Sequence, residues 1–301
     1  MVNGNLSHSM RENYQLGVEN YYKIVQESYR NPHFPGLKRV LAQLMDTYVA
    51  QEKPTSIKVL DLAAGSGEAT EALLSWKASR WPSSTSSGSS TTPTPPASAA
   101  LPFQPASPAP ALSAPIAPRP FIPPRAVVRP VRPTTVPSIP EPSLSITAAD
   151  PFTSPAYRAR TGLPCLELSF AQVAAGELPP PGGSASASAP RAAQDAEEGV
   201  GELYDLVIVS FALHLVESPS ELWALLAELG KRARWLCVIA PHKKPDIKST
   251  WGWRRWDPSS AWRPAEGRGN VGGVEGDGFE IVLDRVRLRL WRSEENWHDV
   301  E

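Results

Sequence analysis

The sequence predicts an α/β domain, a doubly wound and mostly parallel sheet with helices on both faces. Three observations carry that prediction. A short apolar, β-branched run from Ile57 to Leu62 opens into a two-glycine turn and then a helical pattern. A second strand pattern closes on an acid, Asp150, which returns to the fold after a long proline-rich stretch. The strongest apolar run, Tyr204 to Ser210, is followed by a capped amphipathic helix and a further apolar run from Trp235 to Ala240.

The totals bound the rest. The chain has 301 residues, 33 of them proline, and several Ser, Ala and Gly tracts that cannot be packed core. One domain spanning 14–301 is expected, carrying a disordered Pro/Ser-rich insertion at 82–142 and a second low-complexity insertion at 179–199. A formal net charge of -1 provides no global basic field for a duplex nucleic acid, which leaves an RNA held by a local patch open. The two cysteines, Cys165 and Cys237, each lie in an apolar run and read as buried free thiols; alone they make no zinc site, and no metal is expected. The first 30 residues lack a signal-peptide core and no 18-residue apolar stretch occurs, so a soluble intracellular protein, cytoplasmic or nuclear and without a membrane partner, is expected.

Residues 1–13 are polar. Val18, Tyr21, Tyr22, Val25 and Tyr29 share one helical face, and a two-proline break around Pro32 and Pro35 precedes a second helix with Leu37, Val40, Leu41, Leu44 and Tyr48 on its inner face. These form an N-terminal helical cap. After Leu62 the chain turns at Gly65 and Gly67, and Ala69, Ala72, Leu73 and Trp76 predict a helix over 68–77. A strand, a glycine turn and a helix N-terminus together favour an anionic ligand group.

Residues 82–142 hold 18 of the prolines, and no acid occurs between Glu71 and Glu141. Too little apolar surface is available there to offset ordering entropy, so polyproline-like disorder is expected. Within it, Pro120 to Arg125 fits a pattern that SH3-type domains bind, a match that proline-rich tracts also produce by chance. Leu144 to Asp150 is the second strand. Asp150 lies 83 residues after Gly67; without the 61 residues of the insertion the separation is 22, the spacing of a ribose-binding acid.

A short helix or turn at 155–162 and a third strand over Cys165 to Phe170 follow. Ser218, Pro219 and Glu221 start a helix with a capping box, lined by Leu222, Leu225, Leu226 and Leu229 and ended by Gly230. Beyond the fifth strand lie Pro241 to Pro245, the tryptophan-rich 251–256, a glycine-rich loop at 267–278 and one long strand over 279–291, or one split near Asp284. Material for a last sheet strand is not evident.

Asp61-Leu-Ala-Ala-Gly-Ser-Gly resembles the first motif of class I S-adenosylmethionine (SAM) methyltransferases, and Tyr204 to His214 resembles their fourth. The likeness extends over nearly all of the foldable chain. It implies a Rossmann-like fold, SAM as cofactor and methyl transfer to an acceptor. Cofactor contacts are implied at Asp61, Ala63, Gly65 and Gly67, at Asp150 on the ribose, at Ser169 and Phe170 beside the adenine, and at Ser210 and Phe211. Ser169-Phe170 stands where the family often has an Asp. His214 is either a general base or the cap of a packed loop. Tyr29, Arg30, His242 and Lys243 are candidate acceptor-binding residues at the same edge, with packing or a solvated loop as the alternatives. An NAD(P)-dependent oxidoreductase is disfavoured, since Thr70 occupies the third-glycine position and no Tyr-x-x-x-Lys occurs. A non-catalytic SAM-binding scaffold using the proline-rich loop is the other alternative. The acceptor is open among small molecule, protein side chain and RNA.

Overall fold

The computed structural model describes residues 31–82, 139–182, 202–265 and 279–297. They belong to one compact unit, in which the segment ending at Pro82 packs with the segment beginning at Ile139. Tyr29, Arg30, the first expected helix, Pro120 to Arg125, the glycine-rich loop and most of both insertions lie outside the described residues.

In chain order the elements are α1 (Phe34–Glu52), β1 (Ser56–Leu62), α2 (Glu68–Arg80), β2 (Ser143–Ala149), α3 (Ser154–Thr161), β3 (Cys165–Leu166), α4 (Phe170–Ala174), β4 (Tyr204–Ser210), α5 (Pro219–Arg232), β5 (Ala233–Ala240), β6 (Trp253–Trp256), β7 (Ile281–Leu283) and β8 (Val286–Ser293). The sheet order is β3-β2-β1-β4-β5-β8-β6, with β7 pairing β8. The first five strands are parallel, whereas β8 enters antiparallel to β5 and β6 antiparallel to β8. This is the doubly wound sheet that the sequence predicts. Its order reverses between β1 and β4, and α/β sheets bind ligands beside such a reversal, at the carboxyl ends of the strands.

Both faces are covered. On one, Leu37, Val40, Leu41, Leu44 and Tyr48 of α1 and Ala69, Leu73 and Trp76 of α2 pack on Ile57, Val59, Ile208 and Cys237. On the other, Leu222, Leu225, Leu226 and Leu229 of α5 and Val173 of α4 pack on Leu60, Val207, Val209 and Leu236. Both cysteines are buried free thiols, as expected. No described helix is long and apolar enough to cross a membrane.

Several expectations need correction. The third strand is two residues long, not six, because the Ser169 hydroxyl and the Gln172 side chain form a capping box that starts α4 at Phe170. Gly230 does not end α5. The helix runs on to Arg232, and the Gly230 carbonyl accepts from Ser293 Oγ at 2.8 Å. Ser218 Oγ accepts the Glu221 N–H at 3.4 Å, the forward half of the expected box.

The insertions also begin and end differently. Ile139 accepts from Trp81 Nε1 at 3.1 Å, so 139–142 belong to the packed fold, and Pro179 accepts from the Tyr204 hydroxyl at 3.0 Å. The last sheet strand, not evident from the sequence, is the edge strand β6, held by Trp253, whose indole donates to the Leu226 carbonyl at 2.9 Å. Of the two forms expected for the final strand, the one split near Asp284 is found: Asp284 and Arg285, both at positive φ (50° and 64°), divide it into β7 and β8, as a two-residue hairpin turn of matching twist requires.

Candidate functional site

The site grows from the turn after β1. Ala63 is left-handed (φ 57°), and the Ala64 N–H donates to the Ala149 carbonyl at 3.1 Å, tying the turn to β2. Gly65 is gripped twice by the loop after β2: its N–H donates to Asp150 Oδ2 at 3.0 Å, and its carbonyl accepts from Thr153 Oγ1 at 2.6 Å.

The two glycines serve different ends. A Cβ on Gly67 would lie 2.5 Å from Thr161 Cγ2 and 3.1 Å from Tyr157 Cδ2, so this glycine is demanded by the approach of α3. A Cβ on Gly65 would meet only Glu68 Oε2, at 3.5 Å. Gly65 therefore has space beside it that a ligand can enter.

Three acids surround the turn. Asp61 is fully buried, and its Oδ2 accepts from the Thr70 N–H at 3.2 Å and hydroxyl at 2.7 Å. Its Oδ1 is buried without a hydrogen-bond partner among the described residues. Burial pushes this carboxyl up to about 7, opposed by the Thr70 bonds and reinforced by the charges of Glu68 and Asp150. Asp150, 7% exposed, accepts from the N–H groups of Phe152 and Thr153, each at 2.9 Å, as well as from Gly65. A carboxylate has about four acceptor positions, so three backbone bonds leave capacity for one more donor. Glu68 Oε1 lies 3.1 Å from Arg160 Nη1, and the Arg160 Nε donates to Glu71 at 2.6 Å. The same guanidinium stands 4.9 Å from the Phe34 ring centroid.

Across the sheet reversal, β4 ends at Ser210 and Phe211 is again left-handed (φ 57°), its N–H donating to the Ile239 carbonyl at 2.8 Å. Two L-residues thus hold the left-handed conformation directly past the carboxyl ends of neighbouring strands, and such strain concentrates at functional sites. Phe211 stacks on His33, with ring centroids 5.7 Å apart and an interplanar angle of 21°. His214 is exposed on the turn Leu213–Leu215, its ring 4.6 Å from that of His242 and perpendicular to it. His242 Nδ1 is buried without a hydrogen-bond partner among the described residues.

The expected residues are therefore gathered unevenly. Asp61, Ala63, Gly65, Gly67 and Asp150 form one continuous hydrogen-bonded turn, while Ser210, Phe211, His214, His242 and Lys243 lie at the ends of the next two strands. Ser169 is committed to capping α4, donating to Gln172 Oε1 at 3.0 Å, and Phe170 packs against the α5-side core. The exposed aromatic ring beside Asp150 is instead Phe152, 39% exposed. Phe152, His33 and Arg160 were not singled out from sequence. For Phe152 a signal existed: Asp150-Pro151-Phe152-Thr153 is the pattern of a side-chain-closed turn, which the two Asp150 bonds confirm.

No protein-family model matches the chain. Over 294 residues it is 34% identical to a Schizosaccharomyces pombe protein, "Uncharacterized protein C17A5.05c", covering 96% of this chain and 94% of that one. Among solved structures, magnesium protoporphyrin IX methyltransferase from Synechocystis, with bound SAM, superimposes at a TM-score of 0.39 and 10% identity, over 96% of this chain and 99% of that one. A TehB-like SAM-dependent methyltransferase from Corynebacterium glutamicum gives 0.38 and 8%, over 94% and 97%. An O-methyltransferase family protein from Burkholderia thailandensis gives 0.42 and 11%, over 95% and 64%.

Proposed function

We propose that this chain, which belongs to the family of the Schizosaccharomyces pombe protein C17A5.05c, is a methyltransferase that holds S-adenosylmethionine at the carboxyl edge of its sheet. The observation that carries the reading is the open side of Gly65, next to Asp150 and flanked by the strained Ala63 and Phe211. The residues fit the cofactor. The first turn of α2 offers backbone N–H groups to the carboxylate of its amino acid part, the acid Glu68 beside Gly65 suits positive charge, and Asp150 retains capacity for a ribose hydroxyl. Phe152 offers an exposed ring beside Asp150 for the base. A dinucleotide fits less well, since Thr70 fills the third-glycine position and its hydroxyl is committed to Asp61 and, at 2.9 Å, to Tyr157.

When bound, the cofactor supplies an already activated methyl group, so the protein's task is to position the acceptor. His33 and Phe211 stack into an aromatic wall beside the carboxyl end of β4, against which the acceptor is placed. His214, exposed beside His242, takes the proton of an acceptor that starts protonated. The acceptor is a small molecule, a protein side chain or an RNA base.

The test is transfer of label from methyl-labelled SAM into fractionated cell extract, by the full chain and by His214→Ala. Label should enter one class of acceptor, and His214→Ala should lose transfer while keeping its SAM affinity. No label in any fraction would refute the reading; a parallel fall in affinity and transfer would make His214 structural.

A further inference from the structure

Arg160, in the last turn of α3, is spent on the glycine turn and the start of α2. Its Nε donates to Glu71 Oε2 at 2.6 Å, and its Nη1 donates to Ser66 Oγ at 3.1 Å and lies 3.1 Å from Glu68 Oε1. Ser66 Oγ in turn donates to the same Glu68 oxygen at 2.9 Å. The guanidinium also stands 4.9 Å from the ring centroid of Phe34, the first residue of α1. A planar fork with donors committed to three side chains and a ring beside it has little freedom to turn. Arg160 thus joins α1, α2 and α3 at the glycine turn.

The consequence falls on Glu68. It is 8% exposed, and a carboxylate so buried is costly unless its oxygens are met. Ser66 and Arg160 meet Oε1. The other oxygen, Oε2, lies 3.5 Å from the point that a Gly65 Cβ would occupy, so it borders the space that the glycine leaves open. A glutamate on an open helix start would swing among its rotamers; this one is held at one oxygen and presents the other at a set place. The Arg160 side chain is 28% exposed, and ion pairs in contact with water contribute little to stability. What the pairing does is fix where Glu68 points.

We propose that Glu68 Oε2 receives the ammonium group of the cofactor's amino acid part, and that Arg160 is the positioning residue that holds Glu68 for it. The inference rests on the methyltransferase reading, in which the N–H groups of the first turn of α2 take the cofactor's carboxylate. The ammonium is bonded to the same carbon as that carboxylate, and Glu68 is the first residue of the same turn. An ammonium only donates and an ionised carboxylate only accepts, so the two match. The sulfonium carries charge but has no N–H to donate, and matches less well. Recognition then depends on the amino acid end of the ligand, and a nucleoside thioether without that end gains nothing from Glu68.

The test titrates the full chain, Glu68→Gln, Arg160→Gln and the double variant by calorimetry with three ligands. These are SAM, S-adenosylhomocysteine, which keeps the ammonium but has no sulfonium, and 5′-methylthioadenosine, which has no amino acid part. Glu68→Gln should weaken SAM and S-adenosylhomocysteine alike, by roughly tenfold or more, the scale of a charged hydrogen bond, and leave 5′-methylthioadenosine unchanged. Arg160→Gln should weaken the same two ligands, and should add no further loss in the Glu68→Gln background, because it acts through Glu68. Unchanged SAM affinity in Glu68→Gln would overturn the proposal, as would a loss confined to SAM, which would place Glu68 at the sulfonium. A parallel loss for 5′-methylthioadenosine would make Glu68 structural, and additive losses would remove the positioning role of Arg160. Failure of the wild type to bind any of the three would take down the methyltransferase reading as well, whereas SAM binding that ignores Glu68 removes this inference alone.

Discussion

The carboxylate of Asp150 reaches back to the backbone of Gly65, with Oδ2 3.0 Å from the amide nitrogen, and so joins the ends of β1 and β2 at the mouth of the site. Thr153 closes the same strap through the Gly65 carbonyl at 2.6 Å. Asp150 is therefore a structural residue before it touches any ligand. Asp150→Ala should lower the free energy of unfolding by about 2–3 kcal/mol, the scale of losing hydrogen bonds to a charged acceptor. Urea denaturation measures this. A variant as stable as the wild type would show that the three backbone bonds make no net contribution.

The two turn glycines should respond differently to the same change. Gly67→Ala places a methyl 2.5 Å from Thr161 at φ 92°, and should cost about 2–4 kcal/mol from overpacking and backbone strain together. Gly65→Ala has only the left-handed cost of about 1–2 kcal/mol. It should instead reduce SAM affinity, because the methyl fills the open side. Equal stability losses, or unchanged SAM affinity in Gly65→Ala, would contradict the division of roles.

Asp61 gives the fold a pH dependence. Its carboxyl is raised from 3.8 to about 7, chiefly by burial. Between those values the folded chain binds one proton that the unfolded chain has released. Stability from this group is then fully present below about pH 4 and lost as pH rises through about 7. Asp61→Asn is neutral throughout, so the wild type should lose stability relative to it from about pH 4 to pH 8. A stability difference that stays flat over that range would mean that Asp61 ionises normally.

Much of this was legible in the sequence because it is local. The run from Ile57 through Gly67 fixes a strand, a turn and a helix start within a dozen residues, and Ser218-Pro219 fixes the start of α5. Asp150 was legible once the 82–142 stretch was set aside, although its bonds to Gly65, Phe152 and Thr153 were not. The Ser169–Gln172 capping box was present in the sequence and is what shortened β3. A split near Asp284 was legible as an alternative, but the left-handed turn residues Asp284 and Arg285 gave no such sign, since neither residue type favours positive φ as strongly as glycine. Nor did β6: Trp253 to Trp256 has no period of its own and becomes a strand only by pairing with β8. The His33–Phe211 stack and the His214–His242 contact join residues far apart in the chain, which local patterns do not encode.

The central claim is that the Gly65 side of the turn binds SAM, and equilibrium calorimetry on the full chain tests it most directly. SAM should bind saturably at one site, Gly65→Ala should weaken it, and NADH should give no comparable binding. No SAM binding, or tighter binding of NADH, would contradict the account.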